Sequence, residues 1–204
     1  MSVATLGRRE RKKQLVRDRI WEETIELIER GGVESTTIDA ICEAVDIAKK
    51  TFYNYYSSKH DLLIDICQIQ LLDLTDSLVS EALADSDRLA IQLDTIFTVF
   101  AERNRSASKL DRELIDYMVG NLSDNRSEGG GQLTFMNNCF LRLFAAGQGQ
   151  LKPGLTPVFC AEMTVGMTNA ITLNWLHNPQ YDTENNFLLL LRFIKDSMLQ
   201  NTQE

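Results

Sequence analysis

The sequence predicts an all-α protein, with a small N-terminal three-helix domain and a larger C-terminal helical domain, about nine helices in all. Along most of the 204 residues, apolar side chains recur at the three- and four-residue spacings of a helix face. The chain contains only three prolines and 11 glycines, so few residues interrupt these patterns. Apolar residues make up 44% of the sequence, which is enough to build a sizeable core.

The first predicted helix runs from about Arg9 to Arg30 and ends at Gly31-Gly32, a strong helix stop. Residues 1–19 contain seven basic side chains and two acidic ones. Such a cluster is either a solvated helix end or an arm that contacts phosphates. The motif that follows favours the arm, and we include Arg8 and Arg9 in it.

Two short helical patterns with a tight connection follow between Thr37 and Tyr56. Thr37 is a suitable N-cap, and apolar residues then recur on one face as far as Val45. Residues 46–48 interrupt this face, and a second pattern, which is basic and aromatic, starts at Lys49. Two short helices joined in this way form a helix-turn-helix, whose second helix enters the major groove of DNA.

The second helix of this motif carries side chains suited to DNA. Lysines neutralise phosphates and reach guanine edges, tyrosine hydroxyls fix the register on the backbone, and asparagine pairs with adenine. We assign Phe52 and Tyr56 to the core instead. The predicted DNA-contact residues are Arg8, Arg9, Thr37, Lys49, Lys50, Thr51, Tyr53, Asn54, Tyr55 and Lys59.

The stretch TTIDAICEAVDIAKKTFYNYYSSKHDLL, residues 36–63, resembles the DNA-binding domain of TetR-family (tetracycline-repressor-type) transcriptional regulators. The likeness includes the paired threonines, the Phe-Tyr-x-x-Tyr block and the Ser-Lys-x-x-Leu-Leu after it. It implies that Thr37, Lys49, Lys50, Tyr53, Tyr55 and Lys59 occupy DNA-contact positions. We expect residues 1–58 to bind DNA and residues 59–204 to form a ligand-binding and dimerisation domain.

Three residues depart from the family pattern. Asp46 stands at a turn position usually held by glycine, where positive φ is often needed and Asp is tolerated less well. Ala48 replaces the usual capping Ser or Thr, so about 1 kcal/mol of capping energy is absent or supplied elsewhere. Asp39 stands where relatives often carry a basic residue, and we expect it to weaken phosphate binding beside it.

The fourth predicted helix runs from Lys59 to about Ala84 and contains no Pro or Gly. We expect it to act as one rigid lever between the DNA-binding domain (the head) and the rest of the helical domain (the body). The last two helices, Val158–Leu176 and a final helix ending near Leu199, differ from the others. The final one is apolar on most of its circumference, which predicts burial on two sides. The second side is expected to be another subunit, and the resemblance implies a four-helix bundle at a two-fold homodimer interface.

Charge and cysteine usage agree with this organisation. The net charge is −8, but residues 1–60 carry a net +1 and the rest −9, so an acidic body accompanies a locally basic head. Four widely spaced cysteines and two histidines predict buried free thiols and no metal site. We expect a cytoplasmic protein without a secretion signal, a membrane-spanning helix or a cofactor.

A helical body on a DNA-binding head predicts a ligand-responsive transcriptional regulator. We expect a repressor that binds a near-palindromic double-stranded operator as a homodimer and is released by an unidentified small molecule, apolar or cationic. Taken one at a time, each residue predicted to line the ligand pocket is better explained as an ordinary core residue. These residues are Phe97, Phe100, Tyr117, Phe144, Met163 and Trp175.

Two other functions compete with this one. A DNA-binding protein of the same fold can respond to a protein partner or act architecturally, without a small ligand. An enzyme is disfavoured, because the sequence has no Ser/His/Asp set, metal cluster or glycine-rich phosphate loop. No catalytic residue is therefore predicted.

Overall fold

The structure, a computed structural model, describes residues 7–120 and 131–200, which confirm the all-α prediction. A π-helical segment, Gln68–Leu72, joins two α-helices without a break, so ten α-helices form nine continuous rods in the described residues. The helices are α1 (Arg8–Gly31), α2 (Ile38–Val45), α3 (Lys49–Phe52), α4 (Lys59–Cys67), α5 (Asp73–Asp85), α6 (Leu89–Arg105), α7 (Lys109–Gly120), α8 (Gly131–Ala146), α9 (Pro157–His177) and α10 (Thr183–Met198).

The chain divides into two compact units. The first comprises the described residues up to Cys67 together with Lys109–Tyr117, the first nine residues of α7. The second comprises Gln68–Ser108 and the described residues from Met118 onwards. Helices α1 to α4 therefore share their unit with a segment that lies more than 40 residues later in the chain.

Local sequence signals determine how the helices of the first unit begin and end. Gly32, with φ of 86°, ends α1, and its amide donates to the Ile28 carbonyl at 2.7 Å. The Thr37 hydroxyl caps α2 by accepting from the Ala40 amide at 3.1 Å. Asp46 adopts φ of 57° and ψ of 53° between α2 and α3, so the left-handed turn expected there is present. Helix α3 begins after Ala48 without a side-chain cap.

The predicted helix from Lys59 to about Ala84 is continuous in the structure, but the π-helical segment interrupts its α-helical register. Side chains are buried at Leu62, Leu63, Ile66 and Cys67, and continued α-helical spacing would bury residue 70 next. Burial resumes one residue later, at Leu71 and Leu72, while Ile69 is 47% exposed. The π turn accommodates this extra residue and re-phases the buried stripe.

Two hydrogen bonds support the π register. The Gln68 side-chain amide donates to the Asp73 carboxylate across the segment at 2.8 Å. The Gln70 carbonyl accepts from the Arg103 guanidinium of α6 at 3.4 Å. The second bond satisfies a carbonyl in the segment where the regular α-helical ladder is interrupted.

Four phenylalanine rings form the centre of the second unit, on helices α6, α8 and α10. Their centroids lie 5.8 to 6.4 Å apart, within the range of favourable tilted and edge-on aromatic pairs. All four are buried, three of them to 1% exposure or less. The rings are Phe97, Phe100, Phe140 and Phe187.

The Gln150 side chain fastens the connection after α8 to the start of α6. Its Oε1 accepts from the Leu89 amide at 2.9 Å and its Nε2 donates to the Asp87 carbonyl at 2.8 Å. The adjacent Leu151 pairs with Leu199 in an antiparallel bridge after α10. These bonds connect three loops at one end of the second unit.

The cysteines are free and buried, as predicted. Burial raises the thiol pKa of Cys67 to about 12 and that of Cys139 to about 11, so both stay protonated near neutral pH. Within the described ranges there is no cluster of three metal-ligating side chains. No helix in those ranges has the length and apolar character required to cross a bilayer.

Candidate DNA-binding surface

Helix α3 and the turn after it are held in place by two buried aromatic rings. Phe52 is fully buried and Tyr56 is 7% exposed, which confirms their assignment to the core. Tyr53 and Asn54 lie between them and are exposed. The Tyr53 ring packs edge-on against Phe52 at 5.6 Å, so its hydroxyl extends from a ring that is already anchored.

The two lysines at the start of α3 are both exposed. The Lys49 ammonium lies 2.6 Å from a carboxylate oxygen of Asp39, in the first turn of α2. Thr51 and Tyr55 are half-buried on the same short helix and turn. The recognition element therefore presents a mixed basic and polar surface, with one of its charges already paired.

The other predicted contact residues lie on α1, α2 and α4. Arg9 is exposed, whereas the side chain of Arg8 lies outside the described residues. Thr37 is exposed but uses its hydroxyl as the α2 cap. Lys59 is half-buried, and its ammonium donates to the Val33 carbonyl at 2.7 Å. The Lys59 side chain thus supports the α1–α2 turn.

Helix α7 also holds this turn, and no sequence pattern predicts its part in it. The Val33 amide donates to the Glu113 carboxylate at 3.1 Å, so both polar groups of Val33 are bonded to side chains. The Lys109 ammonium donates to the Glu29 carbonyl at 3.3 Å, in the last turn of α1. Each of these contacts spans 80 residues of sequence, and no local pattern signals them.

A second unforeseen cluster joins α1, α4 and the end of the recognition element. The Arg17 guanidinium contacts both carboxylate oxygens of Asp65, at 2.8 and 2.7 Å. The Tyr56 hydroxyl donates to Asp65 at 2.7 Å and accepts from Arg17 at 3.2 Å. The cluster fixes the base of the recognition element, and Arg17, counted above in the basic arm, is used inside the fold.

This cluster predicts an alkaline loss of stability that depends on Tyr56. Burial, followed by the Asp65 hydrogen bond, raises the phenol pKa from 10.0 to about 12. The folded state therefore holds the proton more tightly than the unfolded chain, and this stabilisation is lost as pH rises from about 10 to about 12. In this range the free energy of unfolding falls by up to about 1.4 kcal/mol per pH unit.

Urea unfolding at about pH 9 and about pH 11 tests this prediction in wild type, Tyr56→Phe and Tyr53→Phe. Wild type and the Tyr53 variant should lose the same stability, because Tyr53 is 52% exposed. The Tyr56 variant should lose less. Equal losses in all three would show that Tyr56 does not titrate as proposed.

The predicted ligand-contact residues fall in both units. Phe97 and Phe100 belong to the four-ring cluster, together with Phe140 and Phe187, which were not among the predicted ligand-contact residues. Five of the six predicted residues lie in the second unit; among them Phe144 and Trp175 are buried and Met163 is 40% exposed. Tyr117 belongs to the first unit, where its hydroxyl lies 2.6 Å from Nδ1 of His60.

Comparison with known proteins agrees with this geometry. The family model described as bacterial regulatory proteins, tetR family, matches residues 20–66, from within α1 to within α4. The HTH-type transcriptional regulator TcmR of Streptomyces glaucescens is 36% identical over 58 residues. That match spans 28% of this chain and 26% of TcmR, so it concerns the DNA-binding segment.

Solved structures resemble nearly the whole chain. Thermus thermophilus FadR, a repressor in complex with lauroyl-CoA, has a TM-score of 0.70 at 24% identity, covering 92% of this chain and 97% of FadR. SmeT, the repressor of a Stenotrophomonas maltophilia multidrug efflux pump, has a TM-score of 0.69 at 16% identity, covering 91% of each chain. SmeT is also known in a complex with triclosan. The helix-turn-helix segment therefore matches the tetR family of bacterial regulatory proteins, and the fold of nearly the whole chain resembles those of FadR and SmeT.

Proposed function

We propose that the protein is a ligand-responsive DNA-binding transcriptional regulator, a cytoplasmic repressor that binds its operator as a homodimer. The observation that carries this proposal is the exposed basic and aromatic surface of α3, held by buried Phe52 and Tyr56. The match of residues 20–66 to the tetR family model supports the same function. Residues 1–58 would bind DNA, and residues 59–204 would bind the effector and the second subunit.

The contacts with DNA divide into two kinds. Lys50 and Asn54 are exposed at α3 and the turn after it, where side chains of a recognition helix reach base edges. Arg9 and the Tyr53 hydroxyl are suited to phosphates, which fix position without reading sequence. The Lys59 ammonium donates to the Val33 carbonyl, so we assign Lys59 two roles. It supports the α1–α2 turn and contacts a nearby phosphate.

The proposed dimer interface is the outer face of α9 and α10. Both helices bury one side in their own unit and leave large apolar side chains exposed on the other. Gly166 and Ala170 are exposed on the α9 stripe, and a Cβ on Gly166 would meet nothing within 4 Å, which permits close helix approach. The exposed apolar residues are Val158, Phe159, Met163, Leu173, Leu188, Leu189 and Phe193.

The proposed effector binds in the second unit, whose interior is apolar and aromatic. Gln92 is 3% exposed; its amide nitrogen is bonded to Ser86, but Oε1 has no partner among the described residues. Thr168 is 7% exposed, and its hydroxyl likewise has none there. A buried acceptor without a partner is costly, so an apolar molecule with a donor group suits this interior.

FadR and SmeT supply the first probes for an effector. Lauroyl-CoA and triclosan are bound by these proteins of the same fold. Each compound would be titrated into the protein bound to a DNA duplex, while the tryptophan fluorescence of the protein and the release of the duplex are measured. Release by a probe at a defined stoichiometry supports ligand control. Control by a protein partner is the second candidate, and it is favoured if no small molecule alters DNA binding.

Selection of bound duplexes from a random DNA pool tests the proposal as a whole. A dimeric regulator should recover a near-palindrome with half-sites about one helical turn apart, roughly 34–36 Å between centres. Binding that is only salt-sensitive, without a recovered motif, would favour an architectural role and contradict sequence-specific repression.

Replacing Lys50 with alanine is expected to weaken binding to all duplexes and to alter the sequence preference. The loss of one exposed basic contact should lower affinity about tenfold and flatten the salt slope by about one unit. Fluorescence anisotropy over a salt series measures both quantities, and a repeated selection measures the preference.

Arg88→Ala is the matched control, because it removes one exposed positive charge from the second unit. It should leave affinity and slope close to wild type. If Lys50→Ala behaves like this control, Lys50 does not contact DNA and our placement of the recognition surface is wrong.

A further inference from the structure

Asp39 is an acidic side chain beside the proposed recognition surface, and its carboxylate contacts Lys49. It lies in the first turn of α2, where the Thr37 hydroxyl already supplies the cap. Its side chain is 70% exposed, and one carboxylate oxygen lies 2.6 Å from the Lys49 ammonium, which is 59% exposed. The ion pair therefore links α2 to α3 on the solvent-exposed side of the motif.

This pair changes what Lys49 offers to DNA. A free lysine at this position would neutralise a phosphate of any sequence and release a counterion. The hydrogen bond from Lys49 to Asp39 raises the pKa of the ammonium, so the lysine stays charged while its charge is compensated locally. The carboxylate also repels any phosphate that approaches it. Lys50, the next residue, is exposed, and Asp39 pairs with Lys49.

We propose that Asp39 is a positioning residue that increases DNA specificity by holding Lys49 away from phosphates in non-specific complexes. An exposed ion pair is weak, so a better-placed acceptor on the operator can draw Lys49 out of it. A guanine edge offers two such acceptors in the major groove. The inference rests on the proposed DNA-binding function and adds a residue that suppresses binding to the wrong sequences.

The test compares wild type, Asp39→Asn, Lys49→Gln and the double variant on two duplexes of about 25 base pairs, one random and one recovered by selection. Asp39→Asn should raise affinity for the random duplex about tenfold and steepen its salt slope by about one unit. The gain on the selected duplex should be smaller, so the ratio of the two affinities falls. In the Lys49→Gln background, the same change should have less effect on the random duplex.

Two further variants separate positioning from general charge and from folding. Glu43→Gln removes one exposed negative charge from the same helix without altering the Asp39–Lys49 pair, and it should raise random-duplex affinity less than Asp39→Asn. Asp39→Glu retains a carboxylate and should restore most of the specificity ratio. The inference would be overturned if Asp39→Asn raised random-duplex affinity equally in the wild-type and Lys49→Gln backgrounds. It would also be overturned if Glu43→Gln raised that affinity as much as Asp39→Asn.

The result for wild type distinguishes the failure of this inference from that of the proposed function. If selection with wild type recovers no motif and wild type does not bind the random duplex at any salt concentration, both are overturned. If wild type binds with sequence preference and Asp39→Asn leaves affinity, slope and ratio unchanged, only the role of Asp39 is overturned.

Discussion

Replacing Phe193 with glutamate is expected to convert the protein into a monomer and to lower operator affinity about a thousandfold, towards the non-specific level. Phe193 is 54% exposed on α10, beside Leu189, which is 49% exposed. In a dimer formed through this face, the new carboxylate would be buried against apolar side chains without a partner. A monomer reaches only one half-site, so it loses the contribution of the second.

Sedimentation velocity over a range of protein concentrations measures the oligomeric state, and anisotropy on the selected duplex measures binding. Ile91→Glu is the matched control, because Ile91 is 42% exposed on α6 and lies outside the proposed face. That variant should remain a dimer and bind normally. A dimeric Phe193→Glu protein would show that the subunits associate elsewhere.

The features that the sequence predicted correctly depend on neighbouring residues. A threonine before an apolar run caps α2, and a glycine pair ends α1. The left-handed turn at Asp46 was expected from the resemblance, because this turn position is usually held by glycine, which tolerates positive φ. The sequence of α10 is apolar on most of its circumference, and the structure has large apolar side chains on both its buried and its exposed side; burial of the exposed side stays a prediction.

The features that were missed depend on contacts between distant parts of the chain. Glu113 and Val33 are 80 residues apart, and Arg17 and Asp65 are 48 apart. A glutamate on a helix and an arginine in a basic cluster have the same local pattern whether they are solvated or bonded. Only the fold selects the partner, so the site residues that support the recognition element could not be recognised from spacing.

The π-helical segment shows a related limit. Ile69 and Gln70 continue the spacing of Leu62 and Ile66, and the sequence alone therefore predicts one uninterrupted stripe. In the structure both are exposed, and burial resumes at Leu71 and Leu72. The π turn accommodates one extra residue, and no local sequence pattern indicates it.

Phe97→Ala is expected to destabilise the protein by about 3–5 kcal/mol, the range for removing a fully buried phenylalanine. Its ring is 0% exposed and lies within 6.4 Å, centroid to centroid, of three other rings. Truncation leaves a cavity that those rings fill only in part. Urea unfolding at a fixed protein concentration measures the loss, since dimerisation makes stability depend on concentration.

The size of this loss decides between two roles for the aromatic cluster. Leu133→Ala provides the baseline, because Leu133 is 43% exposed on α8 and its truncation should cost within about 0.5 kcal/mol. A Phe97→Ala cost near that baseline would mean that the ring borders open space and lines the effector site, as the sequence suggested. The expected large cost would make Phe97 part of the close-packed core. The effector would then be recognised by other side chains of the second unit, with Phe144 and Trp175 as the remaining buried aromatic candidates.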